Sequence, residues 1–186
     1  MTVDDLWYRA RRASQAGQQA YHRLRERHPD AVVTERIERV GRHRFRRLVG
    51  RIDRSGAPFG SHTIVYRPSA DILLVRHEGV DLWVVPGGGV HEDETFREAA
   101  ERELAEEAGV EATYDGLAIL TRVEVVHGDR SVEGVLPVYA ARAETDDPHV
   151  ADPDDEISAA RWFETLPDDT RDRDSLVDWR DRTLPV

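Results

Sequence analysis

Glu94, Glu103, Glu106 and Glu107 lie with Arg102 between Gly88 and Val110, a stretch reading GGVHEDETFREAAERELAEEAGV. Carboxylates gathered on one surface repel one another, and a hard divalent cation with oxygen preference relieves that repulsion. The local signals say how they are gathered. Pro86-Gly87-Gly88-Gly89 forms a turn, because glycine tolerates backbone angles that other residues avoid. Thr95 with Glu98 is a capping box, and Gly109 stands where a helix C-terminal glycine belongs. These signals predict a helix from about Phe96 to Ala108. At about 100° per residue, Phe96, Ala100 and Leu104 form one apolar stripe. Glu103 and Glu107 fall on that stripe and Glu106 flanks it. Like charges at i,i+4 repel by about 0.2–0.5 kcal/mol even in water, and by more when desolvated. A solvated acidic helix face would place its glutamates opposite the stripe, so this arrangement calls for a cation.

The remaining chain supplies elements to hold that helix. Residues 3–28 read as one long helix: Leu6, Ala10, Ala13, Gly17, Ala20, Tyr21 and Leu24 recur at helical spacing, with small residues permitting close approach of a neighbour. His28-Pro29-Asp30 ends it. Residues 31–52 are ambiguous: Ile37, Val40, Leu48 and Val49 fit a second helix, weakened by Gly41. Ser55-Gly56-Ala57-Pro58 marks a loop and a boundary, giving an Arg-rich helical extension over 1–55 and a second domain over 56–186. Strands follow at Thr63–Tyr66, Ile72–Arg76 and Leu82–Val85. After the helix predicted over Phe96 to Ala108 come Gly116–Val126, Ser131–Arg142 and Ala159–Phe163, then a terminal helix over Asp172–Arg182. Strands interrupted and closed by helices imply an α/β fold with a mixed sheet between helices.

The spacing of Gly88, Glu94, Arg102, Glu103, Leu104, Glu106, Glu107, Gly109 and Val110 resembles the complete signature box of the Nudix hydrolases. The resemblance covers about residues 58–182 and implies an α/β/α sandwich with a mixed sheet, preceded here by the helical extension. It implies Mg²⁺ or Mn²⁺ bound by Glu103, Glu106 and Glu107, with the carbonyl of Gly87 as a further ligand. Arg102 would orient a metal-binding carboxylate and Glu94 would support the loop. Gly88 and Gly109 complete the structural box. The implied reaction is hydrolysis of a nucleoside diphosphate linked to another moiety, by water attack at phosphorus. The general base varies within the family between a box glutamate and one in a later loop. Glu156, in Asp154-Asp155-Glu156-Ile157 ahead of Trp162-Phe163, matches the later position; the alternative is that it belongs to a solvated acidic loop. Arg76 ends a strand where relatives often place a phosphate-binding arginine. Trp83 offers a face for stacking a base, although strand tryptophans more often pack in the core. One departure is His91, where many relatives carry glutamate.

The 186 residues include no cysteine, which excludes disulfides and thiolate metal sites, and no apolar run approaches the ~18 residues of a membrane span. The N-terminus lacks the apolar core of a signal peptide, so a cytoplasmic protein is expected. The 37 acidic and 26 basic residues give a net charge of −11, and every basic residue is arginine. Such a composition resembles that of salt-adapted proteins from a halophilic archaeon. The charge is uneven: residues 1–54 carry +7 and residues 55–186 carry −18. Docking of the opposite charges or self-association as a homodimer is the first expectation, and nucleic-acid binding by the basic segment the second. The leading function is a metal-dependent Nudix pyrophosphohydrolase acting on a small nucleotide. The alternatives are a non-catalytic nucleotide-sensing Nudix regulator and an RNA-end-processing enzyme using the basic segment. Residues that distinguish ADP-ribose, dinucleoside polyphosphate and NADH hydrolases are absent downstream of the box, where the chain reads Glu124-Val125-Val126-His127.

Overall fold

A computed structural model describes residues 3–151 and 155–184, so Asp154 lies outside the described residues. In chain order the elements are α1 (Val3–Arg27), β1 (Val32–Arg39), α2 (Arg42–Ser55), β2 (Ser61–Tyr66), β3 (Ile72–His77) and β4 (Leu82–Val84). They continue as β5 (Gly87–Gly88), α3 (Phe96–Ala108), β6 (Ala112–His127), β7 (Arg130–Ala143), β8 (Ile157–Phe163) and α4 (Arg173–Thr183). The predicted strands are all present, and α3 has the predicted limits. The chain forms two compact units. One comprises Met1–Ser61, Gly89–Phe96 and Ile119–Pro137; the other comprises His62–Gly88, Arg97–Ala118 and Val138–Val186. The long strands β6 and β7 contribute to both.

In the first unit the stripe on α1 is buried at Leu6, Ala10, Ala13, Ala20 and Leu24. Gly17 lies on the same stripe, where a Cβ would run into the backbone carbonyl of Glu133; the small residue is what lets α1 and β7 meet. Helix α2 buries Phe45, Leu48, Val49 and Ile52. Each such side chain contributes roughly 1.5–3 kcal/mol of transfer free energy. Residues 31–52, ambiguous in sequence with a second helix as the fit, divide between a strand and a helix. Val32–Arg39 is a strand paired in parallel with β6, from Val32↔Ile119 to Arg39↔Val126, and the helix begins only at Arg42. Its sequence, VVTERIER, alternates between half-buried and exposed positions, the period of a strand covered on one face. Val33, Ile37 and Val40 also fit helical spacing, but only the strand satisfies the backbone of β6 along this edge.

In the second unit β2 runs parallel to β7 from His62↔Val138 to Tyr66↔Arg142. It pairs antiparallel with β3, and β5 pairs with β2. Strand β3 is antiparallel to both β4 and β8. Parallel and antiparallel pairs in one sheet make it mixed, as the α/β reading requires. Val65, Leu73, Val75, Val84, Ile157 and Val110 form a core with Leu104 and Ala108, which anchor α3 on the sheet. Leu176 and Trp179 anchor α4, with the Trp179 ring 5.9 Å from that of Tyr66. Among the described residues, no helix is long and apolar enough to cross a membrane.

Candidate functional site

Helix α3 displays its glutamates as its period requires. Ala99, Ala100, Leu104, Glu107 and Ala108 are buried, so a carboxylate shares the face that packs on the core. Glu107 is only 8% exposed. Burial of an ion demands partners, and the Gly87 N–H supplies one, donating to Glu107 Oε2 at 2.8 Å. The turn is itself fixed from β2, where the Thr63 N–H donates to the Pro86 carbonyl at 2.9 Å.

Glu103, one turn earlier, lies directly against Gly88. A Cβ at residue 88 would stand 2.5–2.7 Å from the three atoms of its carboxylate group. Only glycine leaves room for that carboxylate against the backbone. Arg102 then ties the remaining carboxylates together. Its Nη1 donates to Glu103 Oε1 at 2.9 Å and to Glu106 Oε2 at 3.1 Å. The i,i+4 spacing of Arg102 and Glu106 makes the second bond possible on a helix surface. Helix α3 ends at Gly109, whose φ is +60° and whose N–H donates to the carbonyls of Leu104 and Ala105. The ring of His149 packs where a Cβ would project, and the His149 N–H donates to the Ala108 carbonyl at 2.8 Å. Two requirements, the left-handed backbone and the close ring, thus meet at one glycine.

The structure therefore brings Gly87, Gly88, Arg102, Glu103, Glu106 and Glu107 together. Among the described residues, no three acidic, histidine or cysteine side chains close into a ready-made metal cage. The donor set nevertheless fits a hard divalent ion. It is all oxygen, one carboxylate is nearly buried, another is pressed on a glycine backbone, and a guanidinium already bridges two of them. Within the loop preceding α3, Glu94 accepts a hydrogen bond from the His91 N–H at 2.8 Å, which braces the turn.

The other expected residues lie on β3, β4 and the approach to β8. The exposed Glu156 carboxylate is 3.5 Å from His77 Nε2, and its carbonyl accepts from the Glu78 N–H at 2.9 Å. Arg76 donates to Asp169 at 2.6 Å and also pairs with Asp81. Hydrogen bonding to Asp169, with the nearby charge of Asp81, raises its pKa. Trp83 packs edge-on against Phe163, with ring centroids 4.8 Å apart, and its backbone pairs with the segment at Asp169–Arg171. Arg76 and Arg161 approach its ring at 5.9 Å. Asp81 is recoverable from sequence, since it and Arg76 flank the β3–β4 turn. Asp169 is not: 93 residues separate it from Arg76. Nor does any local signal reveal the Gly87 N–H as a partner of Glu107, because that bond depends on how the turn meets the helix.

The sequence matches the NUDIX domain family over residues 59–179. A putative 8-oxo-dGTP diphosphatase of Bacillus subtilis is 47% identical over 53 residues, covering 28% of this chain and 36% of that protein. An RNA pyrophosphohydrolase of Cereibacter sphaeroides is 43% identical over 61 residues, covering 27% of this chain and 38% of that protein. The chain thus spans little more than a third of the length of these curated relatives. Among solved structures, the NUDIX domain of Shewanella oneidensis NrtR complexed with ADP ribose superposes with a TM-score of 0.52 at 20% identity, covering 66% of this chain and 85% of that one. A NUDIX-family hydrolase from Clostridium perfringens gives 0.50 at 15% identity, covering 66% and 95%. At these identities the likeness shows the fold, a mixed sheet flanked by helices. With the family match extending over more than half of its length, the chain belongs to the NUDIX domain family.

Proposed function

We propose that this protein is a divalent-metal-dependent pyrophosphohydrolase that cleaves a nucleoside diphosphate linked to another moiety. The observation that carries the reading is the seating of the Glu103 carboxylate on Gly88 while Arg102 bridges it to Glu106. A helix that buries Glu107 beside such a pair gains nothing for stability that an apolar side chain would not supply. It gains a place for Mg²⁺ or Mn²⁺. Glu103, Glu106 and Glu107 would hold the ion, with the carbonyl of Gly87. When bound, the ion supplies Lewis acidity, neutralising diphosphate oxygens and acidifying water. The protein's own part is positioning. Arg102 sets the orientation of two carboxylates, the Gly87 N–H fixes a third, and Glu94 braces the loop. Glu106 and Glu156 are the candidates for accepting the proton of the attacking water. Arg76 and Trp83 face each other on paired strands, so a substrate phosphate arriving at Arg76 would replace Asp169 or Asp81.

The relatives' names favour hydrolysis over the purely sensing role, and the intact box glutamates agree. We place the protein in the cytoplasm of a salt-adapted cell on its composition, with Met1 to Ser55 as an extension of the family domain. The test is phosphate or nucleoside monophosphate release from a nucleotide panel that includes 5′-triphosphorylated RNA, with Mg²⁺ or Mn²⁺ in concentrated KCl. Glu106→Gln and Glu107→Gln should abolish release. Glu156→Gln should lower it at least tenfold only if Glu156 is the base. No turnover by the wild-type protein across the panel, together with a ligand-induced thermal shift, would establish sensing instead.

A further inference from the structure

Strand β1 is an edge. Among the described residues it pairs with β6 alone, and its eight residues contain no proline, glycine or bulge to discourage a new partner. Its exposed face carries Val33, Glu35, Ile37 and Arg39. Ile37, in mid-strand, is 55% exposed, unusual for an isoleucine at the centre of a paired element. From this edge we propose that the protein self-associates, two copies adding β1 to β1 antiparallel about a two-fold axis at Ile37.

The charges select that register. Residues directly opposite in an antiparallel pair point to the same face, so a symmetric pairing must be centred on a residue. Centring on Glu35, Arg36 or Glu38 sets that residue against its own copy, and like charges directly opposite are unfavourable. Centring on Ile37 sets Ile37 against Ile37. It also sets Glu35 against Arg39 and Arg36 against Glu38, each pair occurring twice by symmetry. Glu35, Ile37 and Arg39 share the exposed face and Arg36 and Glu38 share the other, so every opposed pair lies on one side of the sheet. The row extends inward. Glu35 is already in register with Arg122 on β6, 3.6 Å away, and both side chains are well exposed. A second copy would continue this row as Arg122, Glu35, Arg39, alternating in sign across three strands. An edge charged in this way resists pairing with arbitrary strands and admits its own copy.

The chain has no cysteine, which makes the register directly testable in the full-length protein. In Ile37→Cys the two thiols would lie directly opposite. Cα atoms roughly 4.5–5.5 Å apart in such a pair are within disulfide range. Mild oxidation should convert most of this variant to a covalent dimer. In Arg39→Cys the two thiols would be offset by four residues, roughly 13 Å at the rise of a strand, and should not link. Sedimentation of the wild type should give twice the 21.2-kDa chain mass. Arg39→Glu should weaken association at least tenfold, and Glu35→Arg/Arg39→Glu with Arg122→Glu, which inverts the whole row, should restore it, which distinguishes lost pairing from lost folding. A monomer at all concentrations, equal linking at positions 37 and 39, or no rescue by the triple exchange would each overturn the proposal. Turnover of nucleotides does not enter these readouts.

Discussion

Replacing Gly88 with alanine should separate function from stability. The new Cβ would lie 2.5–2.7 Å from the Glu103 carboxylate, whereas ordinary contact begins near 3.4 Å. The carboxylate must retreat by about 1 Å. It is the far end of a flexible side chain, and Gly88 does not have a positive φ, so the backbone need not move. The fold should therefore change in stability by no more than about 1 kcal/mol, the alanine even gaining from a less flexible unfolded chain. Function should respond far more, because a misplacement of about 1 Å costs on the order of 10²-fold in rate, or about 2.7 kcal/mol of barrier. The assay is steady-state phosphate release titrated with Mg²⁺, beside thermal melting without the metal. Gly88→Ala should melt close to the wild type while turnover falls about a hundredfold. Adding Glu103→Asp, shorter by one methylene, should return part of the lost turnover by relieving the contact. Wild-type turnover and Mg²⁺ dependence in Gly88→Ala would refute the idea that the seat of Glu103 matters. A melting point lowered by ten degrees or more would show that the contact is structural.

Arg102→Ala should reduce Mg²⁺ affinity or turnover by roughly 10–100-fold, because the paired Glu103 and Glu106 lose their orientation. Arg102→Lys should recover part of the loss, since one nitrogen, Nη1, serves both carboxylates and an ammonium also carries several donors on one nitrogen; metal titration of both variants checks this. The phenol of Tyr114 is pushed up to about 12, chiefly by burial. Its hydroxyl is 2.9 Å from that of Thr63 and its ring lies under Arg97. A folded pKa above the unfolded one gives stability that is complete below about pH 10 and lost as pH rises towards 12. The loss is at most about 2–3 kcal/mol for this residue, and Tyr114→Phe should flatten that alkaline decline in denaturant melts. If the protein is salt-adapted, raising KCl from 0.1 to 2 M should raise its melting temperature by screening repulsion within the −18 segment; a flat response would count against that origin.

Much of the candidate metal-binding face was legible in one helix. The period of α3 fixes which side chains share a face, so Glu103 and Glu107 could be assigned to the side of Leu104 before any packing was known. The cap signals at Thr95 and Gly109 bounded that helix because capping is chemistry within a few residues. Glycine spacing likewise announced a turn at residues 86–89. Packing decided what that turn does. The Gly87 N–H reaches Glu107 and Gly88 yields space to Glu103, contacts between segments 15 to 20 residues apart. Arg76 shows the same limit: its strand position was plain, but its commitment to Asp169 depends on how the chain returns to β3 and β4. The stretch left ambiguous was residues 31–52, where Ile37, Val40, Leu48 and Val49 fit a helix and VVTERIER equally satisfies a strand. Local sequence determines the repeat of side chains within an element. Which of two permitted repeats is realised depends on whether a neighbouring strand offers its backbone hydrogen bonds, and for β1 that neighbour is β6, 87 residues further along the chain in the register of Val32 and Ile119.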